Sequence, residues 1–418
     1  MSILIDQPSL STSPKGNEPL SRGLVSLLAV STGVSAASIY YSQPLLEVIG
    51  RSLHERASSL TLIPTLTQMG YAAGILLLAP LGDRHNRKRV ILTKGSLLVL
   101  ALLLASLAQS SAMMLVASFL VGVTATVAQD LVPAAATLAP EASRGKIVGK
   151  VMTGLLLGIL LSRVVSGAVA EALGWRSMFV LAAVAMSGVL LAIWRKVPEF
   201  VSTTELPYRK LMASLGQLWL QHRRLRYAAM SQGLLALAFS AFWSTLAILL
   251  GNAPYHLGTA TVGAFGLAGA AGALAAPLAG SIADRRGSGV VTKLGSSLVA
   301  VSFALMALIH LPSLPPQLAF LAVLTVVFDL GVQAALIAHQ TIIYSIDPQS
   351  RSRLNAILLF GVFVGMSAGS GAAGLLIGKF GWNAVPVLGA VSGLGAWLLR
   401  WRADQGDVVA DPQPCPAT

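Results

Sequence analysis

Twelve stretches of about 20 mostly apolar residues follow one another along this chain, with short polar segments between them. That recurrence decides what the chain can fold into. A stretch of this length matches the hydrocarbon core of a bilayer. Only helices and closed barrels satisfy every backbone N–H and C=O there without water. The segments are apolar on all sides rather than alternating, so spanning helices are expected, not strands. They are predicted at 23–45, 58–81, 90–109, 112–137, 148–170 and 177–195, then at 227–250, 258–282, 292–311, 315–338, 354–376 and 382–401. The chain is 55% apolar and 11% charged over 418 residues, against about 25% charged in soluble domains. Disorder, a collagen-like repeat and a single anchor on a soluble domain are excluded. The lone cysteine, Cys415, allows no intrachain disulfide.

Net charge is +13, which in a soluble protein would suggest nucleic acid. Here the basic residues sit in loops. With the N-terminus inside, the cytoplasmic segments hold 24 Lys and Arg and the outer segments four, Arg51, Arg56, Arg176 and Lys379. That bias places both termini in the cytoplasm and excludes a nucleic-acid partner. Val34-Ser35-Ala36 resembles a signal-cleavage site, but the first apolar stretch runs too long for a signal core, so it is read as an uncleaved helix. The organisation expected is a cytoplasmic tail (1–22), a six-helix bundle (23–195), a central loop (196–226), a second six-helix bundle (227–402) and a tail (403–418). Within the loop, Leu211, Leu215, Leu218 and Trp219 recur at helical spacing among basic residues. This suggests an amphipathic helix on the cytoplasmic leaflet, a plain linker being the alternative.

The two bundles repeat. Gly154, Gly158, Gly167, Gly174 and Trp175 recur 207 residues later as Gly361, Gly365, Gly374, Gly381 and Trp382. Asp83-Arg84 recurs as Asp284-Arg285, 201 residues later. Duplicated halves are a feature of secondary transporters, whose substrate lies near the midplane between them.

The loop Leu81-Gly82-Asp83-Arg84-His85-Asn86-Arg87-Lys88-Arg89 and its counterpart Gly280-Ser281-Ile282-Ala283-Asp284-Arg285-Arg286-Gly287 resemble the G-x-L-a-D-R-x-G-R-R loop of the major facilitator superfamily. Gly287 suits left-handed backbone angles, and Asn86 in the equivalent place is the next best residue. The resemblance covers essentially the whole chain. It implies an all-α membrane fold of twelve helices in two six-helix halves. It also implies that Asp83, Arg84, Arg87, Asp284 and Arg285 form a cytoplasmic latch between the halves. The fifth helix, Gly154-x3-Gly158-x3-Ser162-Arg163-x2-Ser166-Gly167, resembles the superfamily's antiporter motif. Gly154, Gly158 and Gly167 would give it a flat face for close helix packing. Three departures stand out: Ala79 replaces the first loop glycine, Ser162-Arg163 replaces the usual Gly-Pro, and Ser118 stands where the fourth helix usually carries an Arg four residues before a Gly, here Gly122.

Charges inside the spans need a reason, since each costs at least about 2.5–3.5 kcal/mol at mid-membrane. Asp130, Arg163 and Asp329 are such charges, and they are the candidates for proton coupling. Asp130 and Arg163 lie on consecutive helices, about 11 Å apart in depth by the helical rise, which leaves their pairing open. Asp329 has no partner that the sequence reveals. The candidate cavity residues are Tyr40, Tyr41, Gln43, Gln129, Phe242, Trp243 and Gln333, on helices 1, 4, 7 and 10, which line the cavity in the superfamily the chain resembles, together with the polar Gln68 on helix 2 and Asn355 on helix 11. Interfacial anchoring of the aromatic residues is the alternative. Neither a phosphate-binding loop, a metal-ligand cluster nor a nucleophile elbow occurs, so no enzyme activity, cofactor or metal is expected. The function expected is proton-coupled efflux of small amphipathic molecules by a monomer in a bacterial inner membrane. The expected partners are a small-molecule substrate, protons and the bilayer. An uncoupled facilitator or importer of a metabolite, and a non-transporting receptor, are the alternatives.

Overall fold

Among the described residues of the computed structural model, ten helices are long and apolar enough to cross a bilayer, and two further spans are broken. The structure describes residues 20–200, 207–308, 313–347 and 350–410, so the tails beyond them, including Cys415, lie outside it. Spans 2 to 6 are Leu62–Arg84, Arg87–Ser106, Ser111–Ala125 continued by Val127–Leu138, Arg144–Leu173 and Trp175–Lys196. Span 7 is Arg223–Gly251, and spans 9 to 12 are Ser288–Leu308, Leu314–Tyr344, Arg351–Phe380 and Ala384–Ala410.

Span 1 does not run to residue 45 as the apolar run predicts. It ends at Ala37, passes through turns and a short 3-10 segment at Gln43–Leu45, and resumes as Leu46–Leu53. Turn bonds from Tyr40 N to Ala37 O and from Gln43 N to Tyr40 O replace the helical ladder. Pro44 has no N–H with which to restart it. Span 8 is broken as well: Thr259–Ala264, a 3-10 stretch Phe265–Leu274, then Ala275–Arg286. Gly266, Gly269 and Gly272 weaken the helical preference of that stretch.

The repeated glycines set the helix contacts. A Cβ on Gly158 would overlap the Gly33 carbonyl, and one on Gly365 would overlap the Gly233 carbonyl. Span 5 therefore lies against span 1 as span 11 lies against span 7. Further along, Gly167 meets Thr259 of span 8, and Gly374 meets Thr61 and Ser58 at the start of span 2. These contacts cross between the halves, and hydrogen bonds secure them. Thr259 Oγ1 donates to Gly167 O (3.0 Å), Ser370 Oγ to Thr61 O (2.9 Å) and Ser367 Oγ to Thr65 O (3.0 Å). Glu171 Oε2 accepts from the backbone N–H of Ala260 (2.7 Å), at the start of span 8. All of these lie at the end of the bundle opposite the described chain ends, and they seal it. Outside the seal sits a pocket of about 310 Å³ between Glu47, Arg51, Ala247, Gly251 and His256.

Two local expectations are corrected. The linking helix Tyr208–Gln221 turns Leu215 and Leu218 onto Leu225, Ala228, Leu354 and Leu358 rather than onto lipid, because spans 7 and 11 offer an apolar surface there. Asn86 has φ −54° and caps the next helix through its side chain, accepting from Lys88 N. It therefore does not share the left-handed turn of Gly287, whose φ is +83°. An Asn side chain can satisfy the free N–H groups of a helix start, which Gly cannot.

Candidate functional site

The breaks in spans 1 and 8 occur beside the same residue. Arg163 stands on span 5, buried at 3% exposure. Its Nε donates to Gln43 Oε1 (3.0 Å), from the interrupted part of span 1. Its guanidinium lies over three rings: Trp243 at 4.1 Å, Tyr40 at 4.9 Å and Phe239 at 5.7 Å. Rings with negative faces are the apolar surroundings that tolerate a desolvated cation. From span 8, a Cβ on Gly266 would reach the Arg163 side chain at 2.9 Å, and one on Gly269 would reach Asp329 Oδ2 at 2.8 Å. Small residues in span 8 therefore let its backbone pass close to both charges.

Asp329 lies at the centre of span 10 and is 3% exposed. Arg163 of the first half lies over the Trp243 ring beside it, yet the two do not form a contact ion pair. Trp243 Nε1 lies beside the carboxylate without hydrogen-bond geometry. Two ionisable side chains of opposite sign, one from each half, thus lie buried around Trp243 without touching each other.

Asp130 takes a different partner from the one left open by the sequence. Its Oδ2 accepts from Lys94 Nζ at 2.5 Å, and the two side chains are 3% and 6% exposed. Lys94, counted in the sequence among the cytoplasmic charges, points from span 3 into the first half. Asp130 lies only eight residues before the end of its helix at Leu138, too far from Arg163 in depth. Asp130 therefore belongs to a buried ion pair within one half.

The candidate cavity residues scatter. Tyr40, Gln43 and Trp243 gather at Arg163. Gln68 accepts a hydrogen bond from Ser240 (3.0 Å) and so joins span 2 to span 7 across the halves. Gln129 donates to the Tyr71 hydroxyl (3.1 Å). Phe242 is fully buried among Phe303 and Phe328, with ring centroids 6.2 and 5.0 Å away, so it is core packing of the second half. Tyr41 also packs into the core. Asn355 accepts from Gln340 (3.1 Å) near the start of span 11, away from mid-membrane. Gln333 is half-buried. Of the latch residues, Arg84 and Arg285 are exposed. Arg87 is buried and reaches Thr137 of its own half at 3.4 Å. The side chains of Asp83 and Asp284 lie outside the described residues. Among the described residues, no group of His, Cys, Asp and Glu could hold a metal ion.

Sequence reasoning named both charges but missed that they lie around Trp243, and it did not single out Phe239 as a ring over Arg163. One signal was available. Adding the repeat offset to Arg163 leads to Ser370, so a charge stands in one half where a small polar residue stands in the other.

Residues 28–339 match the model of the Major Facilitator Superfamily. The chain belongs to that superfamily. It is 41% identical over 388 residues to the "Uncharacterized transporter YgaY" of Escherichia coli O157:H7, covering 93% of this chain and 97% of that one. Two solved structures share the superfamily fold at low identity. A mutant of the nucleoside transporter NupG superposes with a TM-score of 0.75 at 12% identity, over 91% of this chain and 99% of that one. A bacterial homologue of the human lysosomal transporter Spinster, in an inward-facing and unoccupied conformation, superposes with a TM-score of 0.74 at 15% identity, over 96% and 100%. The protein is thus a multi-pass membrane transporter of the major facilitator superfamily, built from twelve spans in two halves.

Proposed function

We propose that this transporter exports small amphipathic molecules from a bacterial cytoplasm through the inner membrane, acting as a monomer and taking in protons in return. The observation that carries the reading is the pair Arg163 and Asp329, buried on opposite halves around Trp243 and out of contact. A proton carrier must bind its proton in one conformation and release it in another. Removing a carboxylate from water penalises its charge, and an approaching guanidinium restores it. Rocking the halves alters the distance between Arg163 and Asp329, and with it the proton affinity of the pair. Asp130 is less suited, because Lys94 holds it within one half. Both chain ends are cytoplasmic by the 24-to-4 bias of Lys and Arg, so the end closed by the contacts between the halves is the outer one. In the opposite conformation Asp83, Arg84, Arg87, Asp284 and Arg285 latch the cytoplasmic end.

Ser118, in place of the usual intramembrane arginine, favours a second reading, an uncoupled facilitator. Proteoliposomes with an imposed pH gradient decide between them. A screen of amphipathic solutes is expected to find at least one accumulated against its own gradient when protons flow the other way. Downhill flux unaffected by the pH gradient would establish the facilitator instead.

A further inference from the structure

Four side chains between the halves each keep one buried polar atom without a partner: Gln43 Nε2, Arg163 Nη2, Trp243 Nε1 and Asp329 Oδ1. Such atoms are rare, since leaving one unmade costs about 1–3 kcal/mol. Here they belong to residues already gathered at the two helix breaks. Three are donors and one is an acceptor. Two are ionisable, Arg163 as a cation and Asp329 as an anion.

We propose that this cluster recognises a zwitterionic small molecule with an apolar body, of the α-amino-acid type. Its carboxylate accepts from Arg163 Nη2 and Gln43 Nε2. Its ammonium donates to Asp329 Oδ1. Its body rests against the rings of Tyr40, Phe239 and Trp243. The inference deepens the exporter reading and rests on it.

Charge balance selects the class. A cation would satisfy Asp329 and leave Arg163 to repel it. An anion would satisfy Arg163 and meet the Asp329 carboxylate. A molecule bearing both signs completes each charge with the partner it lacks, at no net charge in the membrane. Desolvated charges left without a close partner are the costly case, so the gain from completing both is large. The ligand also links the halves, because Gln43 and Arg163 belong to the first and Trp243 and Asp329 to the second. A site shared in this way binds with different strength in each conformation, which is what ligand-driven switching requires. Proton exchange follows from the same geometry. A proton on Asp329 removes the charge that holds the ammonium, so proton and substrate occupy the site in turn.

The test uses the purified full-length protein in lipid nanodiscs. Binding of L-leucine, L-phenylalanine and L-methionine is measured by calorimetry. Each is compared with its α-amide, which is only a cation, and its deamino acid, which is only an anion. At least one amino acid is expected to bind with a Kd at least about tenfold below both of its analogues. Asp329→Asn should raise that Kd to the level of the deamino acid measured on the same variant, while deamino-acid binding tightens because the carboxylate it met is gone. Arg163→Gln should raise it to the level of the amide. No binding by any of the three amino acids, or an amide or deamino acid that equals its parent, overturns the assignment. The wild-type series needs no substitution, so misfolding of a variant cannot mask that result. Vesicle flux separates the two levels of the reading. Proton-driven export of an amphipathic cation without amino-acid binding overturns the zwitterion site and keeps the exporter. Amino-acid binding without any pH-driven flux supports the site and removes the exporter.

Discussion

The two halves share a frame but not a charge. Position 163 in the first corresponds by the repeat to position 370 in the second. Ser370 closes the seal by donating to Thr61 O, while Arg163 reaches Gln43 and three rings. The flanking glycines behave alike, with Gly158 and Gly365 against Gly33 and Gly233, and Gly167 and Gly374 against the opposite half. Span 2, which faces span 11, is a continuous helix, whereas span 8, which faces span 5, is 3-10 through its middle. Packing was therefore kept in duplicate, and one of the two interfaces was modified to hold a charge. Discontinuous spans at mid-membrane are tolerated where they line a site, since their freed backbone groups can be satisfied there.

The difference is sharpest in transport. Arg163→Ala should lower flux at least about a hundredfold, a loss near 3 kcal/mol, because Asp329 is left buried opposite no cation. Ser370→Ala should stay within a few-fold in the same vesicle assay, since it loses one neutral hydrogen bond worth about 1 kcal/mol. Equal effects would mean that the two positions remain equivalent.

The next contrast is between two lysines. Lys94 pairs with Asp130 in the interior, whereas Lys293 pairs with Asp404 at 2.8 Å with both side chains 32% exposed. Lys94→Met should destabilise by about 3–5 kcal/mol, and Lys293→Met by less than about 1 kcal/mol. Thermal unfolding in detergent measures both. Adding Asp130→Leu to Lys94→Met should recover part of the loss, because it removes the buried carboxylate that Lys94 had paired.

A smaller effect is expected to be symmetric. Gly158→Ala and Gly365→Ala should each cost about 1–3 kcal/mol by forcing carbonyl and methyl apart. Unequal losses in unfolding midpoint would show that only one helix pair is tightly closed. The smallest effects lie in the repeated loop. Asn86→Ala should lose a helix cap worth about 1 kcal/mol. Gly287→Ala should cost about as much through its left-handed backbone, so the two loops would look alike in stability while differing in mechanism.

The spans, their number and the repeat were legible because bilayer thickness fixes segment length and because paired glycines repeat at one offset. The breaks were not. The residues from Tyr40 to Leu45 read as apolar continuation, and only Pro44 hinted at the interruption. The glycines of span 8 suggested close packing, which they provide, without revealing the 3-10 geometry. The helical rise already put Asp130 and Arg163 about 11 Å apart in depth and left their pairing open; which way each side chain faces, the term the sequence lacks, gave Asp130 to Lys94 instead. The placing of Arg163 and Asp329 around Trp243 joins residues far apart in sequence on different halves, a relation that no local pattern encodes.

The most direct measurement is uphill transport in proteoliposomes with an imposed pH gradient, comparing Asp329→Asn with the double variant Lys94→Met/Asp130→Asn. If the charge pair between the halves couples protons to substrate, Asp329→Asn should lose pH-driven accumulation while still exchanging substrate for substrate. The double variant should keep accumulation, because its charges act within one half. Full accumulation by Asp329→Asn, together with its loss in the double variant, would contradict the assignment and return coupling to Asp130.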